Sequence, residues 1–282
     1  MNRFSIIISS LFLIFHSAAW SQNISQTFEY AGQQLNRGNT GQAISLFRRV
    51  LFFDSTGTFS YEACKKLVTC YIYIRDYARA EEFSGFAANL APNDSQSVEQ
   101  IFQTAFIKLL KNEPEYAMIE LYGISDSLSY YFQVKKNFYL GVTCFQLENY
   151  RNAIDYFVRC NGADEKCRAI LIDILKEINH IERRYNPKTA RLLSIILPGS
   201  GQLYCGDIKG AINSLALTTG LVLLYINTAA NYSFIDAAIS VLPWFQRYYQ
   251  GGYQNAAKAA LKRRQKRINI QYQKILTVLD QQ

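Results

Sequence analysis

Arg75-Asp76-Tyr77-Ala78-Arg79-Ala80 and Glu148-Asn149-Tyr150-Arg151-Asn152-Ala153-Ile154 decide how this chain is read. In each, a polar turn precedes an aromatic residue, and alanine follows three residues after it. The first leads into Ala87 and Leu90-Ala91-Pro92-Asn93, the second into Phe157 and Cys160. Gly38-Asn39-Thr40-Gly41-Gln42-Ala43-Ile44 has the same form with Thr for the aromatic, and leads into Phe47 and Val50. Ala43 and Ala80 are 37 residues apart, and Ala80 and Ala153 are 73 apart, roughly twice that. A degraded copy fits the gap, with Ala117 in Glu113-Pro114-Glu115-Tyr116-Ala117. A fixed period of this length marks stacked helical pairs. Alanine sits where two helix backbones approach, bulky Tyr, Phe and Leu fill the flanks, and each pair buries its other face on the next.

The pattern predicts units at 24–57, 61–94, 98–131 and 134–167. From Cys167 to Arg184, Ile170, Leu171, Ile174, Leu175 and Ile178 recur at helical spacing, which predicts an amphipathic cap closed by Pro187. These features resemble the tetratricopeptide repeat (TPR), a helix–turn–helix unit. Tyr77, Ala80, Ala87 and Pro92 match it in the second unit, and Gly141, Tyr150, Ala153 and Phe157 in the fourth. The resemblance implies an all-α, TPR-like helical-hairpin solenoid whose concave face, lined by the first helix of each unit, binds a protein partner. Candidate contacts are Lys65, Thr69, Ile72 and Tyr73 in the second unit, and Phe138, Val142 and Phe145 in the fourth.

Further on, the chain reads Arg191-Leu-Leu-Ser-Ile-Ile-Leu-Pro198-Gly199-Ser-Gly201-Gln202-Leu-Tyr204-Cys-Gly206-Asp-Ile-Lys209-Gly210. This resembles a bacterial integral-membrane module built on a Pro-Gly-x-Gly-Gln-x-Tyr-x-Gly turn, although Lys209 follows Asp207 earlier than in that pattern. The resemblance implies membrane residence and little about activity. Read from the residues, Pro198 stops a helix, the glycines allow unusual φ and close contacts, and Gln202 and Tyr204 satisfy backbone groups. A second reading gives the glycine amides an anionic ligand such as a lipid phosphate. Gly210–Thr228 then runs 19 residues without charge, about the length that crosses a bilayer. Phe234–Tyr249 carries Asp236, Pro243, Gln246 and Arg247. It either closes a helical hairpin or lies in the interface with Trp244, Tyr248 and Tyr249 at headgroup depth. A hairpin returns the tail to the side of the repeats, whereas a single span places it opposite.

Arg3, the apolar run Phe4–Phe15 and Ala19-Trp20-Ser21 read as a secretory signal peptide over 1–21. The layout expected is therefore a repeat region over 22–185, a membrane module over 186–250 and a basic helical tail over 251–282. That tail holds seven basic residues and one acidic one, most of the net charge of +8. Lys262, Arg263, Arg264, Lys266 and Arg267 suit a cytoplasmic stop or anionic lipid better than nucleic acid, for which no motif accompanies the run.

With apolar residues at 49% and only 20 Gly plus Pro in 282, the composition excludes collagen-like and low-complexity chains. Only two histidines occur, and His180 reads as a surface residue, so no catalytic set assembles. The six cysteines show no C-x-x-C spacing, which argues against zinc. Buried thiols are expected, with a bridge between Cys160 and Cys167 allowed by export. No cofactor or metal is expected. The reading is a non-catalytic, membrane-anchored envelope scaffold. The alternative is a component assisting membrane protein assembly, envelope biogenesis or transport through the glycine-rich module.

Overall fold

A computed structural model describes residues 23–160 and 164–280. The candidate signal peptide at 1–21 lies outside them. Among the described residues the fold is all-helical, with no strand. It divides into two compact units, at Tyr156 and Phe157.

The first unit contains α1 (Ile24–Asn36), α2 (Thr40–Phe53), α3 (Ser60–Tyr73), α4 (Tyr77–Asn89), α5 (Asp94–Leu110), α6 (Pro114–Tyr122), α7 (Tyr130–Gln146) and the start of α8 (Tyr150–Cys160). From α1 to α7 every helix packs on the next, and α1 and α5 also touch α3 and α7. The turns inside the pairs are one device repeated. Gly38, Arg75, Asn112 and Glu148 take left-handed φ of 81°, 62°, 61° and 58°. At Arg75 the N–H donates to Ile72 O at 3.0 Å and the next N–H, of Asp76, to Tyr71 O at 2.9 Å. The same two bonds close the turns at Gly38, Asn112 and Glu148. This is the Schellman end, which satisfies the last carbonyls of a helix.

Its second residue at once caps the following helix. Asp76 and Asn149 accept from Arg79 N–H and Asn152 N–H at 3.2 and 3.3 Å. Four residues after each cap stands an alanine, Ala43, Ala80, Ala117 or Ala153, with no exposed surface. A larger side chain there would push the paired helices apart, at a cost of ~1–3 kcal/mol. Fully buried Phe47, Leu67 and Tyr71 fill one core cluster, and Phe102, Leu121 and Leu140 a second.

The loop from α2 to α3 is organised differently. Asp54, which is buried, accepts from Thr56 Oγ1, Thr58 N–H, Phe59 N–H and Ser60 Oγ at 3.0, 3.2, 2.7 and 2.9 Å. Burial raises its pKa, but those four bonds outweigh it and hold the carboxyl below its ordinary value.

The second unit contains α9 (Glu165–Arg184), α10 (Pro187–Ile196), α11 (Ser200–Tyr204), α12 (Ile208–Asn231) and α13 (Phe234–Asp280). The expected boundary at 250 falls inside α13, which runs 47 residues through Pro243 and the Gly251-Gly252 pair. Gly252 is where α12 comes nearest: a Cβ there would lie 2.7 Å from Ser214 Oγ, so the glycine marks a close approach rather than a break. Helix α9, expected as a cap, packs on α13 and buries Cys167, Leu171, Ile174, Ile178 and Ile181, while Ile170 stays exposed.

Candidate functional site

Two candidate sites were drawn from the sequence, one in each unit. On α3, Tyr73 is 72% exposed and Thr69 is exposed, but Ile72 packs against the core and Lys65 is held by Glu62 at 2.9 Å and lies over the Tyr61 ring. On α7, Phe138, Val142 and Phe145 are half-buried, and Phe145 meets Tyr150 edge-on at 5.0 Å. Helix α3 packs on α1, α2 and α4, and α7 on α5 and α6, so the two sets share no packing interface. A further exposed apolar patch of this unit lies elsewhere. Tyr116, Ile119 and Tyr122 form a three-residue-spaced stripe on α6, opposite buried Ala117 and Leu121, and are 59%, 67% and 57% exposed. That spacing was present in the sequence, but attention to first helices passed over it.

An ion-pair cluster fixes α4 to α5. Lys108 and Lys111 reach Glu81 at 2.9 and 2.8 Å, and Lys111 also meets Glu113 at 3.0 Å. The hydrogen bond from Lys111 holds Glu81 below the ordinary carboxylate range, and the same bond raises Lys111.

In the second unit the glycine-rich motif is a packing device. Gly199 starts α11 at φ 91°, and a Cβ on it would stand 2.5 Å from Ala211 O. Gly201 lies on α10 so closely that a Cβ would stand 1.9 Å from Ala190 O. Its N–H donates to Ser194 Oγ at 3.0 Å, Ser194 Oγ donates to Gln202 Oε1 at 2.9 Å, and Gln202 Nε2 donates to Gly252 O at 2.8 Å. Gln202 is fully buried, so this chain of bonds ties α10, α11 and α13 at one point. Tyr204 hydroxyl donates to Arg183 O at 3.4 Å. The amides of Gly201, Gly206 and Gly210 are used by Ser194 Oγ, Leu203 O and Asp207 Oδ1, which leaves those three with nothing to offer an anion. Lys209 is exposed, and Pro198 precedes the turn.

The basic run is not one solvated face. Arg263 donates to Cys205 O, and Arg264 lies 3.9 Å from Glu182 on α9, whereas Lys262, Lys266 and Arg267 are exposed. Among the described residues no disulfide forms, so Cys160 and Cys167 are not bridged. Burial pushes the thiols of Cys64 and Cys70 up to about 11 and that of Cys160 to about 12, which keeps them protonated at neutral pH. No group of three or more His, Cys, Asp or Glu among the described residues is placed to hold a metal.

Helix α12 is long and apolar enough to cross a membrane, at 24 residues with a mean hydropathy of 1.4 over an 18-residue stretch. That is ~36 Å at 1.5 Å per residue, against a hydrocarbon core of ~30 Å. Its apolar side chains are not buried against the protein: Ile212, Leu223 and Ile226 are more than half exposed. Only Ala211, Ser214 and Thr218 are covered, on the side towards α13. The facing helix is similarly apolar on its outside, with Ile235, Ile239 and Trp244 exposed. No family model and no curated protein matches this chain.

Proposed function

We propose that this chain is a non-catalytic scaffold of the bacterial cell envelope, in which TPR-like repeats on the periplasmic side bind a protein partner and the α10–α13 module holds them at the membrane. The observation that carries the repeat reading is the turn at Gly38, Arg75, Asn112 and Glu148, which recurs every 36 or 37 residues with a buried alanine behind it. Stacked helical pairs present extended surfaces, and such surfaces bind peptide segments. The anchor reading is supported by the apolar girth of α12, most of which is left exposed among the described residues. A soluble protein seldom leaves so large an apolar surface open.

The test is crosslinking in intact cells with the full-length chain. Tyr73→Ala combined with Phe138→Ala should abolish a specific crosslinked partner species, and Tyr116→Ala with Tyr122→Ala serves as the comparison on α6. An unchanged species in the first variant would sink the first-helix assignment. Loss only in the second would move the partner surface to α6. Carbonate extraction tests the anchor: the chain should stay with the membrane fraction.

A further inference from the structure

Between α12 and α13 lie two cavities, end to end. The first, ≈420 Å³, has a mixed polar and apolar lining that includes Asp207, Asn213, Ser214, Arg247, Tyr248 and Asn255. The second, ≈160 Å³, is almost wholly apolar, between Leu221, Val222 and Tyr225 on α12 and Val241, Leu242 and Phe245 on α13. One turn of α12 separates Leu217, the last lining residue of the first, from Leu221 of the second, and only Gln246 separates Phe245 from Arg247. The larger cavity falls within the size range of ligand sites, ~300–1,000 Å³. The smaller is comparable to a void that takes a benzene-sized group, ~150 Å³.

Four polar side chains of the first cavity are not consumed by the protein. Arg247 makes no ion pair, and the side chains of Asn213 and Asn255 make no hydrogen bond, among the described residues. Ser214 is 8% exposed, and its Oγ is buried without a partner. Arg247 is exposed and lies beside the first turns of α12, a depth at which a lipid headgroup can answer its charge. The lining carries one cation, Arg247, and one anion, Asp207. Oδ1 of Asp207 caps α12 through Gly210 N–H at 3.0 Å. A head with one negative and one positive group matches that pair, and an apolar tail matches the second cavity.

We propose that the α12–α13 cleft binds one zwitterionic phospholipid of the phosphoethanolamine class. Its phosphate meets Arg247 and the Asn213 and Asn255 amides, its ammonium meets Asp207, and one acyl chain lies between Leu221 and Phe245. The inference rests on the membrane reading above and makes the module a lipid-recognising element rather than a passive anchor.

The experiment is native mass spectrometry of the full-length protein in detergent. It is loaded with phosphoethanolamine or phosphoglycerol lipid of matched chains. The wild type should retain a single phosphoethanolamine lipid, favoured roughly tenfold over phosphoglycerol because both charges are answered. Arg247→Gln should lose retention of both lipids. Asp207→Asn keeps the cap, since asparagine also accepts from Gly210 N–H, and should erase the preference while sparing phosphoglycerol. Asn213→Ala with Asn255→Ala, at exposed positions, is the second variant should Arg247→Gln fail to fold. It should weaken retention at unchanged melting temperature. Equal retention of the two lipids, retention unaffected by Arg247→Gln, or displacement of lipid by inorganic phosphate alone would each overturn the proposal. A chain released by carbonate would instead fail the membrane reading itself.

Discussion

The two units solve the same local problem under different constraints. In the repeats, the left-handed turn residue is arginine, asparagine or glutamate as readily as glycine, and it points outward. In the second unit the turn recurs at Gly206, with φ 75°, bonds from Gly206 N–H to Leu203 O and Asp207 N–H to Gln202 O, the Asp207 cap, and Ala211 buried four residues on. There a Cβ would stand 2.5 Å from the Arg263 guanidinium, so a larger residue would displace the side chain that donates to Cys205 O. One backbone device therefore takes several residue types at an exposed corner of the first unit, and in the second ties the choice to the position of a neighbouring arginine.

The widest expected difference between the units is in the response to Gly→Ala. Gly201→Ala drives a Cβ into the Ala190 carbonyl, backbone against backbone. It should cost more than ~3 kcal/mol and leave little folded module. Gly85→Ala lies inside α4 with nothing within 4 Å, and should stabilise by ~0.5–1 kcal/mol. Hydrogen exchange followed peptide by peptide reads both; a tolerated Gly201→Ala would break the comparison. Next in size, Asp54→Ala orphans the two N–H groups and two hydroxyls it accepts from, and should cost ~2 kcal/mol, confined to peptides of α2 and α3.

The charge cluster gives a pH signature to the repeats alone. Glu81 is depressed in the fold, so its contribution is present above the ordinary carboxylate pKa and fades as pH falls through the lowered value. Lys111 is raised, so its contribution is present below the ordinary 10.5 and fades as pH rises past the raised value. Glu81→Gln should flatten the acid limb in α4 and α5 peptides and cost ~1 kcal/mol at neutral pH; an unchanged acid limb would refute the assignment. Smallest is Arg75→Gly, which relieves a left-handed non-glycine residue and should gain up to ~1 kcal/mol. The reverse substitution at Gly206 should be destabilising.

The all-helical character and the spacing of the helix pairs were legible. The helix pairs at 24–53, 60–89, 94–122 and 130–160 follow the four units read from alanine spacing. The third was the faintest because Pro114 and Asn112 share no side-chain chemistry with Tyr77 and Arg75, although the backbone they adopt is the same. The recurrence at Gly206-Asp207-Ile208-Lys209-Gly210-Ala211 was hidden for the opposite reason: its glycines fitted a membrane turn well enough to stop the comparison there. The unbroken α13 was not legible, since proline and a glycine pair ordinarily punctuate helices. Nor was the ownership of α9, because an apolar stripe states that a face is covered and not by what. In the candidate sites, residue type marked Gln202 and the glycines, whereas the side chains that converge from α12 and α13 are ordinary polar residues 40 positions apart and only meet in space.

Helix α13 has a mechanical consequence. At 1.5 Å per residue its 47 residues make a rod of ~70 Å, more than twice the thickness of a hydrocarbon core. Lys262 stands 15 residues after Arg247 on this one helix, ~23 Å along its axis. One inserted residue between them would rotate the two ends by ~100° about the rod. The basic stretch and one wall of the α12–α13 cleft thus belong to a single continuous helix.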